Sequence, residues 1–275
     1  MKCATSAIPW CDYGSSPVTG CQHGCRWCYA RSMVRRYGAP DAEGLHVLDA
    51  PIYAPTKAII GNPMDPSERA MPYPFGFAPT LHRYRLDVPA PRRPGRVLVC
   101  PMADLWGSWV PGYWQDEVLG ACAEAPQHDY LFLTKRPEAY RCDRIDWSLR
   151  PWAWLGATAT DLFTYSVADA AIPPTAHIRF QSMEPWLGGG EGLDEVRLSL
   201  CGGPEDPDWL ILGPLTGPGA SKAPPVSRDA VLRLRDTCER RGVVLFIKPS
   251  ATAWGLTPGE IAGMQSYPLP HPSAR

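Results

Sequence analysis

The chain has 275 residues and a formal net charge of −1, enough for one large α/β domain or two small ones around a substantial core. So even a charge balance argues neither for nor against a polyanionic partner, and it selects no function class. Residues 1–12 (MKCATSAIPWCD) lack the charged head and apolar run of a secretory signal, and no apolar stretch approaches the roughly eighteen residues that span a bilayer, so a soluble, cytoplasmic protein without a membrane partner is expected.

A first short strand is expected near Ala7–Trp10, and the stretch GCQHGCRWCYARSMVRRYG (20–38) follows it. Cys21, Cys25 and Cys28 stand there at the spacing C-x3-C-x2-C. The chain holds ten cysteines; in a reducing compartment, clustered cysteines are more often ligands than cross-links. Three thiolates can hold three irons of a 4Fe–4S cubane, leaving the fourth iron without a protein ligand, and an open metal position is where chemistry is done. Spacing alone leaves two alternatives open: a zinc site with Cys11 or His23 as fourth ligand, or three unrelated core cysteines. Cys3, Cys11, Cys100, Cys122, Cys142, Cys201 and Cys238 form no second tight group, which gives little ground for a second cluster. Cys100, at the end of a buried strand, and Cys122 and Cys238, on apolar helix faces, suit small core positions.

Ten of the 32 prolines fall between Pro51 and Pro94, and residues 39–95 are expected to form an irregular Pro-rich insertion. At its end, LHRYRLDVPAPRRPGR (81–96) mixes Tyr84 with His82, Arg83, Arg85, Arg92, Arg93 and Arg96. Arginine beside an aromatic ring suits phosphates and an unstacked base, and Arg31, Arg35 and Arg36 add charge after the cysteines. A solvated basic loop is the commoner origin of such runs.

Beyond the insertion, apolar runs at 96–100 (RVLVC), 129–133 (DYLFL), 153–157 (AWLGA), 177–181 (HIRFQ), 208–212 (DWLIL) and 243–248 (VVLFIK) read as strands buried on both faces. Helices alternate with them. Pro111 suits a first helical position, with Trp114, Val118 and Cys122 recurring every four residues. Ser227 suits a cap, Val231, Leu234 and Cys238 share a face, and Gly242 suits a stop. Six or seven such strands predict an α/β fold, a complete or partial (β/α) barrel spanning 1–275, with residues 251–275 as a C-terminal tail and a doubly wound sheet as the alternative. Reactive groups of a barrel follow its strands. Asp104, Lys135, Arg136, Asp161, Glu184 and Lys248 all do so and would face one mouth, a set of both signs suited to a zwitterionic or phosphorylated ligand; solvated loop residues would look the same in sequence.

The cysteine spacing, with Trp27 beside the last thiol, is similar to that of radical S-adenosylmethionine (SAM) enzymes. PFGFAPTLH (74–82), PMADLWG (101–107), APQHDYLFLTKRPE (125–138), WLGAT (154–158), IRFQSMEPWLG (178–188), DWLILG (208–213) and LFIK (245–248) together resemble the phage- and bacteria-associated three-cysteine family of unassigned function, related to those enzymes. The resemblance covers about Trp10 to Lys248. It implies a 4Fe–4S cluster on Cys21, Cys25 and Cys28 whose open iron takes SAM, and one-electron cleavage of SAM to a 5′-deoxyadenosyl radical that removes hydrogen from a substrate. An electron donor of the flavodoxin or ferredoxin kind is implied as partner. Trp27 and Tyr29 would lie beside cluster and adenine, unless they are ordinary core. Asp104 stands where the SAM ammonium would be accepted; Glu184 could do that or accept a ribose hydroxyl. Lys135, Arg136 and, less strongly, Lys248 suit a carboxylate or phosphate, with Thr134 and Ser182 as hydrogen-bond partners. The chain departs from that family at GPLTG (213–217), where relatives carry Gly-Gly-Glu-Ser-Gly, and at KPSA (248–251), which replaces Lys-Gln-Trp-Gly. The expected function is modification or repair of a nucleobase or nucleic acid; a small metabolite or peptide as substrate, or a non-catalytic zinc-stabilised nucleic-acid-binding protein, are the alternatives.

Overall fold

The computed structural model describes residues 1–37, 52–53, 72–88, 90–200, 206–217 and 219–269. Cys201 and most of the expected Pro-rich insertion lie outside them. The chain divides into two compact units, one of residues 1–6 and 11–130, the other of residues 7–10 and 131 onward.

In the first unit, β1 (Ala4–Thr5) runs antiparallel to β2 (Tyr13–Ser15). A separate three-stranded sheet combines β3 (Val18–Thr19), β4 (Ile52–Tyr53) and β5 (Thr80–Leu81). Helix α1 (Tyr29–Tyr37) starts directly after Cys28. β6 (Arg96–Val99) pairs in parallel with β2, Gly14 opposite Leu98. Helix α2 (Gly112–Ala123) begins one residue after Pro111, which is its N-cap rather than its first helical residue, and buries Trp114, Val118 and Cys122 completely.

β7 (Asp129–Thr134) crosses the division between the units. In the second unit lie β8 (Ala153–Thr158), β9 (Ile178–Met183), β10 (Trp209–Leu212) and β11 (Val244–Ile247), paired in parallel in sequence order from β8 on. Helices α3 (Leu162–Ala171), α4 (Gly189–Ser199), α5 (Arg228–Arg241) and α6 (Pro258–Gly263) follow in turn. The α5 ends are as the sequence indicates: the Ser227 side chain accepts from the Ala230 N–H at 3.2 Å, and Gly242 stops the helix at φ 72°.

All six apolar runs after the insertion are strands, within two residues at each end. With β1 and β2 they form one mostly parallel sheet of eight, ordered β1-β2-β6-β7-β8-β9-β10-β11. The order never reverses, as it must in a doubly wound sheet. Among the described residues β1 and β11 do not pair, so the complete barrel is not formed. The expected strand at Ala7–Trp10 is a turn instead. It carries Trp10 into the second unit, where the ring meets Phe180 at 6.4 Å and Trp209 at 6.1 Å. The first parallel strand is β2, whose sequence YGS has no apolar run to announce it.

Trp209 centres an aromatic cluster, with Trp154 at 6.1 Å, Phe180 at 5.8 Å, Phe246 at 6.4 Å and Tyr267 at 5.9 Å. Gly156 of β8 lies opposite Phe180 of β9, and a Cβ there would come within 2.2 Å of the phenyl ring. Replacing Gly156 with Ala should therefore cost about 1–3 kcal/mol by overpacking, read as a lower midpoint in urea unfolding.

His82 in the first unit is fully buried and bonded to Thr19 Oγ1 at 2.8 Å. Burial, and then the positive Arg85, hold its pKa at about 3, below the ordinary 6.5. Between those values the unfolded chain binds a proton that the folded chain does not. Stability attributable to His82 is thus complete above pH 6.5 and lost as pH falls toward 3, at no more than about 1.4 kcal/mol per pH unit. Thermal unfolding of the His82→Gln variant should show a shallower decline between pH 6.5 and 4 than the parent; an equal decline would contradict this.

Candidate functional site

The cysteine loop is built where the chain leaves β3. Gly20 holds φ +84°, forms an isolated bridge with Ala103, and donates its N–H to the Met102 carbonyl at 3.0 Å. A Cβ on Gly20 would sit 2.2 Å from the Ala78 carbonyl oxygen, so only glycine fits. Cys100, directly after β6, has φ 58°, unusual for a side-chain-bearing residue, and turns the chain into Pro101–Gly107. The loop and that turn are thereby brought together.

Cys21, Cys25 and Cys28 are all free and partly exposed. Cys21 and Cys28 lie against a small apolar cluster of Ala30, Val34, Phe77 and Met102. Gly24, at φ +67°, turns the chain between the first two thiols. The Arg31 N–H donates to Cys28 Sγ at 3.4 Å, and the Cys28 N–H to the Cys25 carbonyl at 3.3 Å. Burial first, then the charges of Asp104 and the two other thiols, push the Cys21 pKa up to about 12, so the metal-free thiol is neutral. Among the described residues no three His, Cys, Asp or Glu side chains converge on a point as a single metal ion requires. A cubane does not ask that of them, because each thiolate binds its own iron. Three thiols in one loop, an apolar wall and an amide directed at sulfur fit such a cluster in donor chemistry.

Trp27 and Tyr29 are not core: they are 37% and 52% exposed. The Tyr29 hydroxyl donates to the Pro101 carbonyl at 2.6 Å. Asp104 is buried, and both its oxygens are engaged, Oδ2 by His23 Nε2 at 2.7 Å and Oδ1 by the Trp106 N–H at 3.0 Å.

In the second unit a different polar group stands at the ends of β9, β10 and β11. Glu184 Oε2 accepts from Trp10 Nε1 at 3.1 Å and from Ser182 Oγ at 3.2 Å. Lys248 Nζ lies 3.3 Å from Oε1, an ion pair not aligned as a hydrogen bond. Gly213 makes room for the lysine stem, since a Cβ there would come within 2.6 Å of Lys248 Cδ. Glu184 and Lys248 are each visible in sequence, but their pairing spans 64 positions and leaves no local signal. Trp10, in a stretch whose sequence suggests a strand, belongs to this group. Thr134 is buried and accepts the Arg136 N–H at 2.9 Å, the Arg136 side chain bonds Glu138 at 3.1 Å, and Lys135 is exposed. Asp161 is the N-cap of α3, accepting from the Thr164 N–H at 2.9 Å in a capping box.

The arginines of 81–96 are largely committed within the chain. Arg83 pairs with Glu117, Arg85 donates to the Ser16 and Pro72 carbonyls at 2.7 and 2.9 Å, and Arg96 pairs with Asp12 at 3.1 Å. Arg92 and Arg93 are exposed. Arg31 lies over the Phe77 ring at 5.1 Å, while Arg26, Arg35 and Arg36 are exposed. No described helix is long and apolar enough to cross a membrane.

An α/β fold with a mostly parallel sheet, carrying a three-cysteine loop beside the turn after β6, thus defines the class. The chain belongs to the family described as Protein of unknown function (DUF5131), which matches residues 5–258. No curated protein matches it. Among solved structures it is similar to spore photoproduct lyase. A cysteine-to-alanine variant with a dinucleoside spore photoproduct is 11% identical at TM-score 0.44, over 87% of this chain. A tyrosine-to-phenylalanine variant is 12% identical at TM-score 0.47, over 87% of this chain and 75% of that one. This chain spans 64% of the first of those. The likeness is loose, and nothing about this chain's chemistry follows from it.

The close fit at Gly20 makes a direct test. Gly20→Ala should destabilise the chain by about 1–3 kcal/mol and speed alkylation of Cys21 in the metal-free protein. Urea unfolding and mass-mapped iodoacetamide labelling read the two effects; wild-type behaviour in both would refute the packing described.

Proposed function

We propose that this chain is a radical SAM enzyme holding a 4Fe–4S cluster on Cys21, Cys25 and Cys28. The observation that carries the reading is the loop itself: three partly exposed thiols at C-x3-C-x2-C, against an apolar wall, with a backbone amide directed at Cys28 Sγ. When bound, the cluster would supply the electron that cleaves SAM reductively and so starts hydrogen abstraction from a substrate. The chain's own part is to fix three irons and to leave the fourth without a protein ligand. Val34, Phe77 and Met102 keep water from one side of the loop. The one-electron step requires a reductant, for which a flavodoxin- or ferredoxin-like protein is suited.

In the second unit, Glu184 is held by Trp10 and Ser182 so that its carboxylate can receive a hydroxyl or an ammonium. Lys135, Arg136 and Lys248 supply positive charge for a carboxylate or phosphate. For substrate we favour a nucleobase or nucleic acid. Exposed Trp27 and Tyr29 stand in sequence beside exposed Arg26, Arg35 and Arg36, a pairing of π faces and guanidinium groups suited to unstacked bases. The committed arginines of 81–96 no longer support that choice.

Anaerobic reconstitution with iron and sulfide should give a brown protein with about four irons per chain that cleaves SAM under reductant. Cys25→Ala should lose the cluster and the cleavage together. One zinc per chain without SAM cleavage would sink the proposal in favour of a structural metal site. Transfer of deuterium from a labelled oligonucleotide to 5′-deoxyadenosine would identify the substrate class.

A further inference from the structure

One buried pair beside the cysteines has no part in that reading. His23 stands between Cys21 and Cys25, and its Nε2 lies 2.7 Å from Oδ2 of Asp104, 81 positions away. Their side chains are only 17% and 7% exposed. Asp104 is fixed before it reaches the imidazole, because its Oδ1 accepts the Trp106 N–H within its own turn. The imidazole also meets the Trp109 ring edge-on, centroids 4.8 Å apart. Trp109 lies so close over Gly107 that a Cβ there would come within 2.4 Å of the indole. The buried Trp109 Nε1 has no acceptor among the described residues, so this residue contributes the shape of its ring.

The backbone explains why such a pair is needed. Among the described residues, 21–24 make no backbone–backbone hydrogen bond, although Gly20 before them and Cys25 after them do. Gly24 adds freedom in the same span. The one main-chain contact there, the His23 amide on the Cys21 side chain, stays inside the loop and does not tie it to the rest of the fold. The His23 side chain does.

We propose that His23 and Asp104 are positioning residues, a hydrogen-bonded strut that ties residues 21–25 to the turn after β6 and sets the separation of the first two thiols. Asp104 is then committed to His23 and is not the acceptor for the SAM ammonium. The strut is a property of the metal-free chain; only its consequence for cluster retention rests on the function proposed above.

The test uses the full chain without metal, labelled with iodoacetamide and read by mass spectrometry at Cys21 and Cys25. His23→Ala and Asp104→Ala should each raise the labelling rate about tenfold, as loss of one charge-assisted hydrogen bond allows. The double variant should add nothing further, since either change removes the same strut. Asp104→Asn keeps one hydrogen bond to the ring and should stay within about threefold of wild type. If the alanine variants do not fold, Asp104→Asn and His23→Gln decide, the second labelling faster than the first. Unchanged rates, or additive ones, would overturn the proposal.

After anaerobic reconstitution, His23→Ala and Asp104→Ala should lose cluster absorbance to a chelator faster than wild type, with an unaltered Kd for SAM per cluster. Weak SAM binding by Asp104→Asn alongside normal binding by His23→Ala would instead make Asp104 the ammonium acceptor. Should wild type take up no cluster, the functional proposal fails while the labelling result still decides the strut.

Discussion

The site depends on Gly20 having no side chain. Its Cα presses toward the Ala78 carbonyl, at a distance where a Cβ would overlap the oxygen, and its positive φ closes the chain onto Ala103. This single backbone bridge is the tie at the entry of the loop. It delivers Cys21 to the turn after β6. The thiol is consequently drawn under the apolar wall, where it stays protonated unless a cation replaces the proton. Everything further along the loop inherits that starting point, and the His23–Asp104 contact fixes the next half-turn.

The second unit solves another problem, a carboxylate in an apolar setting. Its core is a ring of large aromatics around Trp209. Trp10 belongs to that ring and carries one polar atom, which it spends on Glu184. A buried anion costs several kcal/mol unless paired and hydrogen-bonded. Here two donors and one ammonium share the task, and glycine at 213 gives the ammonium's stem its path. The acid is thus held still by the same packing that makes the core.

The sequence made the parallel strands legible because strands buried on both faces are short, uninterrupted apolar runs. AWLGA, DWLIL and VVLFI admit few other placements. Tyr13–Ser15 was invisible for the opposite reason: Gly14 and Ser15 pair through backbone alone and show no apolar pattern. Ala7–Trp10 misled because an apolar run also marks a plug, and only the partners of Trp10, some 170 and 200 positions away, tell the two apart. The arginines of 81–96 looked free because Glu117 and Asp12, which neutralise two of them, are remote in sequence. The three cysteines stand out in sequence because they fall within eight positions, and what they hold is the proposal made above. His23 and Asp104 were each visible, but nothing in sequence couples residues 81 apart.

These differences follow from where each constraint is stored. A loop of three cysteines stores its thiols locally, so spacing reveals it. A positioning pair stores its meaning in one distance between remote side chains. Glu184 and Lys248 belong to the second kind, and that affects what they can bind. An ion pair at 3.3 Å, partly shielded from water, must open before either member can meet a charged ligand. A neutral hydroxyl needs only a free lone pair. Glu184 Oε1, buried and without an aligned donor, still has one. Under the ligand role proposed for Glu184, a ribose or other hydroxyl would therefore cost the least reorganisation, and an ammonium would have to compete with Lys248 for the same oxygen.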